Sequence, residues 1–288
     1  MERHTRSYLQ LIKPGITLSN TLTGAAGFFL AASMVAFSWT ALLGAVAGIA
    51  FVIASACVIN NIIDRDIDKR MKRTSKREVA SGSIDIPKAI VFGVILGLIG
   101  FTLLLTLTNV VTFILGVIAY VWYVVIYGYA KRTTALSTII GGVPGALPPM
   151  AGYTALTGSI DLAAILLFAI LFFWQLPHFY AISIFRQSDY ASAKLPVWAV
   201  RYGIKSAKAQ IFISVVLYAI AASLLAVFGY TGYIYFVLSS ILSIYWIYKG
   251  ISLYRKVDDV KWARTMFGVS LMVLLAMIGL ISVGGYLP

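Results

Sequence analysis

The sequence predicts an all-α membrane protein, a bundle of nine transmembrane helices, and three observations carry that prediction. Of 288 residues, 60% are hydrophobic and only 11% charged, against the roughly 25% charged residues usual in a soluble domain. The mean hydropathy of +0.92 is too apolar for a single water-exposed chain of this length. All 23 Lys and Arg residues fall on one side of the predicted membrane, as expected for cytoplasmic loops under the positive-inside rule. These features exclude a soluble enzyme, a disordered chain and a disulfide scaffold. The lone Cys57 admits neither a disulfide framework nor a CxxC pattern and reads as a packing residue.

Apolar runs of span length lie at 15–36, 41–63, 89–107, 110–129, 135–154, 162–184, 211–228, 233–248 and 266–283. The connections 37–40, 108–109, 155–161 and 229–232 hold no Lys or Arg. The opposite side holds Arg3, Arg6 and Lys13, eight cations after the second run, Lys131 and Arg132 after the fourth, and five in each remaining loop. This asymmetry predicts a cytoplasmic N-terminus and a C-terminus outside. The net charge of +13 therefore reads as topology, and nucleic acid is not expected as a partner. With no signal peptide or mitochondrial targeting segment ahead of the first run, a prokaryotic plasma (inner) membrane is expected.

One membrane domain spanning residues 1–288 is expected. Two long charged loops, 64–88 and 186–210, lie four spans apart. They suggest a pseudo-repeat of spans one to four and five to eight, with the ninth appended. In the fifth run, Gly141, Gly142, Pro144, Gly145, Pro148 and Pro149 crowd together. Proline removes backbone donors and kinks helices, so this span is expected to face the bundle interior.

The most informative stretch follows the second run. Asn60, Asp64 and Asp68 recur every four residues, and Asn61 joins the same stripe at i, i+3, i+7. Such hard oxygen ligands suit Mg²⁺, which binds through one or two carboxylates plus substrate phosphate oxygens. Lys72, Arg73, Lys76 and Arg77 follow immediately as donors for a diphosphate. A solvated, charge-mixed helix end would also give this pattern. Three aspartates at a membrane boundary, in a chain with ten acids, favour the functional reading.

Asn60-x-x-x-Asp64-x-x-x-Asp68 resembles the first aspartate-rich motif of the intramembrane aromatic prenyltransferases, the UbiA-type superfamily. The resemblance is strongest to its haem branch, the protoheme IX farnesyltransferases (haem O synthases). Lys13-Pro14-Gly15, the run from Asp64 through Met71, Arg73, Thr74 and Arg77, and Lys131-Arg132-Thr133 are similar to that branch. So are Gly145-Ala146-Leu147-Pro148-Pro149-Met150-x-Gly152-Tyr153, Trp174-Gln175-Leu176-Pro177-His178-Phe179, Asp189-Tyr190 and Leu195-Pro196-Val197. Glu78 departs from it, standing where the branch usually has proline.

The resemblance implies transfer of farnesyl from farnesyl diphosphate to a vinyl group of haem B, with addition of water, giving haem O. It implies Mg²⁺ on Asn60, Asn61, Asp64 and Asp68, with Asn60, Asp64 and Asp68 as catalytic residues. Lys72, Arg73, Arg77, Lys131 and Arg132 would hold the diphosphate. His178, with Gln175, Arg186, Asp189 and Lys194, would form the haem-substrate site, and the product would pass to a haem–copper oxidase. Spacing sets Gln175, His178, Arg186 and Asp189 near one stripe of the sixth span, interrupted at Pro177. Quinone-type relatives carry a second multi-aspartate motif here, whereas this chain has only Asp189.

Tyr120, Tyr123 and Tyr127 recur along the fourth span beside Lys131 and Arg132. Their faces could stabilise an allylic cation, while an interfacial belt is the expectation for Tyr127 and Tyr129, and for Trp246 and Tyr248. Two rival functions are a prenyltransferase for an aromatic quinone precursor and a small-molecule transporter with its site at the broken fifth span. A plain haem-binding membrane protein is a third.

Overall fold

In hydrocarbon, long runs of Leu, Ile, Val, Ala and Phe can satisfy their backbone N–H and C=O groups only internally, and helices do this within one segment. A computed structural model describes the backbone from Glu2 to Pro288 and side chains from Ser7 onward. The side chains of Arg3 and Arg6, counted above, lie outside the described residues. Among the described residues every regular element is helical. In order these are α1 (Glu2–Leu11), α2 (Pro14–Ala32), α3 (Trp39–Ile63), α4 (Arg65–Asp68), α5 (Glu78–Ser81), α6 (Ile86–Leu107) and α7 (Val110–Val121). A π-helical stretch, Trp122–Tyr127, leads into α8 (Gly128–Thr133). Then come α9 (Ser137–Thr157), α10 (Leu162–Phe185), α11 (Gln187–Ser192), α12 (Trp198–Val227), α13 (Tyr233–Leu253) and α14 (Asp259–Gly284).

Seven spans among the described residues are long and apolar enough to cross a membrane: α3, α6, the continuous Val110–Thr133, α10, α12, α13 and α14. The other two expected spans are α2 and α9, helices of 19 and 21 residues. Their Thr, Ser, Asn, Gly and Pro content holds them below that apolarity. Several helices start earlier than the apolar runs, because polar residues extend their first turns; α14 begins at Asp259, capped by Asp258.

Chain neighbours pack together, α3 on α6 and α10 on α12, and α14 closes the arrangement against α2. The α2–α9 contact brings the two backbones together. A Cβ on Gly27 would lie 1.9 Å from the Pro149 carbonyl oxygen, and one on Gly152 1.8 Å from that of Gly24. Only glycine lets these backbones touch, the small-residue packing that membrane helices rely on. As expected, α9 is buried over most of its second half. It nevertheless stays helical through Pro144, Pro148 and Pro149. Pro144 leaves the Ile140 carbonyl without its usual donor, and Trp122 Nε1–H supplies one at 2.9 Å. Likewise α10 continues through Pro177, correcting the expected interruption.

The two long loops meet. Ile67 and Met71 from the first form a buried cluster with Ala193 and Leu195 from the second, flanked by Tyr190 and Val197. Trp246, expected in an interfacial belt, is fully buried and packs edge-on against Tyr218, ring centroids 5.7 Å apart. Tyr129 and Tyr248 are exposed, as a belt requires.

Candidate active site

The acidic motif straddles a helix break. α3 ends at Ile63 and Asp64 leaves helical geometry, yet the Asp64 N–H still reaches the Asn60 carbonyl and the Asp68 N–H that of Asp64, at 2.9 and 2.8 Å. The four-residue repeat therefore survives the break. Asn60, Asn61, Asp64 and Asp68 are all buried, and burying carboxylates is costly unless each is paired.

Each is. Lys131 Nζ, at the end of the Val110–Thr133 span, donates to the Asp64 carboxylate at 2.5 Å. Arg77 Nη1 contacts both Asp68 oxygens at 3.0 and 2.9 Å. Lys13 Nζ donates to Asn60 Oδ1 at 3.0 Å, and the Tyr123 hydroxyl approaches the same oxygen at 3.4 Å. Lys13 adopts a left-handed backbone, φ 50°, at the start of α2, and burial lowers its ammonium pKa. The sequence counted this lysine toward topology and toward the Lys13-Pro14-Gly15 resemblance, without a site role; its bond to Asn60 brings it against the acidic stripe.

Tyr127 also departs from expectation. Rather than joining a belt, its ring stacks on Tyr123 at 5.6 Å and lies under Lys131 Nζ at 5.3 Å. Gly141 makes room for it, since a Cβ there would sit 2.7 Å from the ring. The π-helical stretch carrying both tyrosines is a form that recurs at functional sites.

Other predicted residues sit differently. Arg132 holds Asp66 with two bonds of 2.9 Å and caps the Ile63 carbonyl at 2.5 Å, and its Nη2 still lies 3.8 Å from Asp64 Oδ1, at the edge of the acidic stripe. That fork holds the Asp66 carboxyl below the usual range. Asn61 Nδ2–H donates to the Leu11 carbonyl at 2.9 Å, tying α3 to α1. Lys72 and Arg73 are exposed. Burial raises the Tyr190 phenol, opposed by the charges of Arg73 and Arg186, which sets these two cations near the junction of the loops.

The second constellation divides. Gln175 Nε2–H donates to the Gly142 carbonyl of α9 at 2.6 Å, and Gly145 leaves the room its amide needs. His178 turns instead to α14, its Nδ1 2.8 Å from Ser270 Oγ. Its ring lies between Trp174 and Phe267, centroids 5.2 and 4.6 Å away. The expected stripe does not extend to Arg186 and Asp189. α10 ends at Phe185, Arg186 leaves helical geometry at φ −115°, and Asp189 lies on α11. Arg186 and Lys194 are exposed and Asp189 half-buried.

No three His, Cys, Asp or Glu side chains converge among the described residues. A pair of buried carboxylates is nevertheless what Mg²⁺ takes when substrate phosphates and water complete its shell. Asn60 Nδ2 and Asn61 Oδ1 are buried without a hydrogen-bond partner, so the polar capacity of the stripe exceeds what the protein itself uses. The residues fit a hydrated divalent ion held jointly with a phosphorylated ligand.

The model of the UbiA prenyltransferase family matches residues 20–278. This chain belongs to that family. It is 39% identical over 274 residues to protoheme IX farnesyltransferase 2 of Shewanella sp. (strain ANA-3), covering 94% of this chain and 88% of the relative. It is 40% identical over 284 residues to the protoheme IX farnesyltransferase of Citrobacter koseri, covering 98% and 96%. Solved UbiA-type structures share the fold at lower identity. A digeranylgeranylglyceryl phosphate synthase superposes with a TM-score of 0.81 at 22% identity, over 99% of both chains. A UbiA homologue from Archaeoglobus fulgidus, bound to GPP and Mg²⁺, gives 0.69 at 16% identity, over 96% of this chain and 99% of that one.

Proposed function

We propose that this UbiA-family protein transfers the farnesyl group of farnesyl diphosphate to a vinyl group of haem B, with addition of water, to give haem O. The observation that carries the reading is near-full-length identity of about 40% to protoheme IX farnesyltransferases, in a chain whose two buried aspartates are each held on a cation. The Mg²⁺-bound family structure supports a divalent requirement. When bound, Mg²⁺ supplies electrophilic neutralisation of the diphosphate as negative charge develops on it.

The protein's own residues divide the remaining work. Asp64 and Asp68, with Asn60, would hold the ion, while Lys131 and Arg77, already within hydrogen-bond reach of these carboxylates, would share the diphosphate charge. Lys13 joins them from the start of α2. Lys72 and Arg73, exposed on the covering loop, complete the cationic surround. Preorganised charge of this kind stabilises the leaving group most where charge is greatest, in the transition state. The faces of Tyr123 and Tyr127 stabilise the allylic cation left behind. The C–O bond of the farnesyl diphosphate breaks, the terminal vinyl carbon bonds to the farnesyl carbon, and water captures the haem-side cation as a hydroxyl, releasing a proton. His178 and its aromatic neighbours receive the macrocycle, with Gln175 bracing α10 and with Arg186, Asp189 and Lys194 at the loop face.

The reading includes nine membrane crossings, with α2 and α9 shielded inside the bundle despite their polarity, a cytoplasmic N-terminus and a prokaryotic inner membrane. A downstream haem–copper oxidase would consume the product. The test is incubation of purified protein with haem B, farnesyl diphosphate and Mg²⁺, followed by mass spectrometry. A haem gaining farnesyl plus hydroxyl, abolished by EDTA, is the expected product. Transfer only to an aromatic quinone precursor would overturn the acceptor, and transport without any product would overturn the chemistry.

A further inference from the structure

We propose that Ser270 of α14 is a positioning residue that fixes the tautomer and plane of His178, so that the ring offers an unprotonated Nε2 to an iron porphyrin. Ser270 is fully buried. Its Oγ lies 2.6 Å from the Phe267 carbonyl oxygen and 2.8 Å from His178 Nδ1. A carbonyl oxygen can only accept, and a hydroxyl carries one hydrogen. The Ser270 hydrogen is therefore committed to Phe267, and the second bond must be donated by Nδ1–H. In the neutral ring this leaves the lone pair on Nε2.

The plane of the ring is fixed by the same residue. Trp174 Nε1–H donates to the Ser270 carbonyl at 2.8 Å, which holds the indole against one side of the imidazole at an interplanar angle of 27°. Phe267 lies against the other at 32°, and Phe179 meets the edge at 78°. Oxygen and carbonyl of one serine thus set both the protonation site and, through Trp174, the orientation. Among the described residues no protein group hydrogen-bonds Nε2, and the ring is part-exposed. A histidine that donates its far N–H to a fixed partner and presents the other nitrogen is arranged as metal-ligating histidines are, and imidazole suits iron.

The identity of the ligand rests on the proposed function; the tautomer does not. The test uses the full chain in detergent as wild type, Ser270→Ala and Ser270→Thr, each titrated with haem B and followed by absorbance and electron paramagnetic resonance. Loss of an outer partner of a ligating histidine weakens metal binding by about 10- to 100-fold. Ser270→Ala should therefore lose nitrogen-ligated haem character and bind haem at least about tenfold more weakly, with farnesyl diphosphate affinity unchanged. Ser270→Thr, which keeps the hydroxyl, should restore both. A wild-type haem spectrum in Ser270→Ala would overturn the proposal. In parallel, nitrogen NMR of ¹⁵N-histidine protein carrying His4→Gln leaves His178 as the one signal. Protonation at Nδ1 is expected, and protonation at Nε2 in the wild type would overturn the assignment. Should Nδ1 carry the proton while wild type binds no haem, the tautomer stands and the haem acceptor of the proposed function fails.

Discussion

The two ends of the candidate site are built from opposite materials. Around Asp64 and Asp68, buried charge is met by charge: Lys131 and Lys13 arrive from distant segments, and Arg77 from the same loop as Asp68, to hold carboxylates and an amide. Around His178 no ion pair is found among the described residues; one neutral serine and three aromatic rings hold the imidazole. The first arrangement suits a ligand that leaves as a multiply charged anion. The second suits a flat, apolar macrocycle with a metal at its centre. Under the proposed function, the contrast means that one bundle separates the chemistry of departure from the recognition of the acceptor by assigning them to different helices, α3 with α8 and α10 with α14.

The contrast breaks most visibly at Asp64. Asp64→Asn retains shape while removing the charge, and transfer should fall by about 10²–10³-fold, the scale of losing a preorganised electrostatic group, with haem binding preserved. Steady-state product formation beside a haem titration checks this; full activity would remove Asp64 from the chemistry. Next comes the converse variant. His178→Ala should weaken haem binding by at least the roughly tenfold that losing only an outer partner of a ligating histidine costs, and leave farnesyl diphosphate affinity intact. Lys13→Met should raise the KM for farnesyl diphosphate by about tenfold, since a charge-assisted hydrogen bond contributes about 1.5–3 kcal/mol. Initial rates across diphosphate concentrations report it.

The smallest effect lies just outside. Asp66→Asn breaks a half-exposed pair with Arg132, so stability should drop by less than about 1 kcal/mol with activity unchanged. Because Arg132 lowers the Asp66 pKa, its contribution is present above the ordinary aspartate range and disappears as pH falls through the lowered value. Thermal melts of wild type and variant should therefore converge in acid.

Much of the first region was legible because its signal is local. Asn60, Asp64 and Asp68 share a face at four-residue spacing, and backbone hydrogen bonds keep that spacing across the break at Asp64. Their partners were legible as residue types but not as pairs, since Lys131 and Asp64 are 67 positions apart. Lys13 was legible as topology and within the Lys13-Pro14-Gly15 resemblance, but not as a partner of Asn60, 47 positions away, because a single cation before a span has no periodicity to betray its contacts. The second region was harder. Its decisive partner, Ser270, lies 92 positions from His178 on a helix whose apolar pattern gives no hint of chemistry. Spacing also extended a stripe to Arg186 and Asp189 that the end of α10 cuts off, because helix termination at Phe185 lacks a glycine or proline to announce it. Trp246 and Tyr127 misled for a related reason: an aromatic near a predicted membrane boundary looks alike whether it faces lipid or the bundle.

The most direct test of the divided site is a single titration of the wild-type protein with haem B, with and without a saturating non-hydrolysable thio-analogue of farnesyl diphosphate and Mg²⁺. Separate sites predict that one haem and one analogue bind each chain together, with the haem dissociation constant changed by less than about tenfold, a coupling under about 1.4 kcal/mol. Displacement of haem by the analogue would contradict the account, because it would require both ligands to occupy one place.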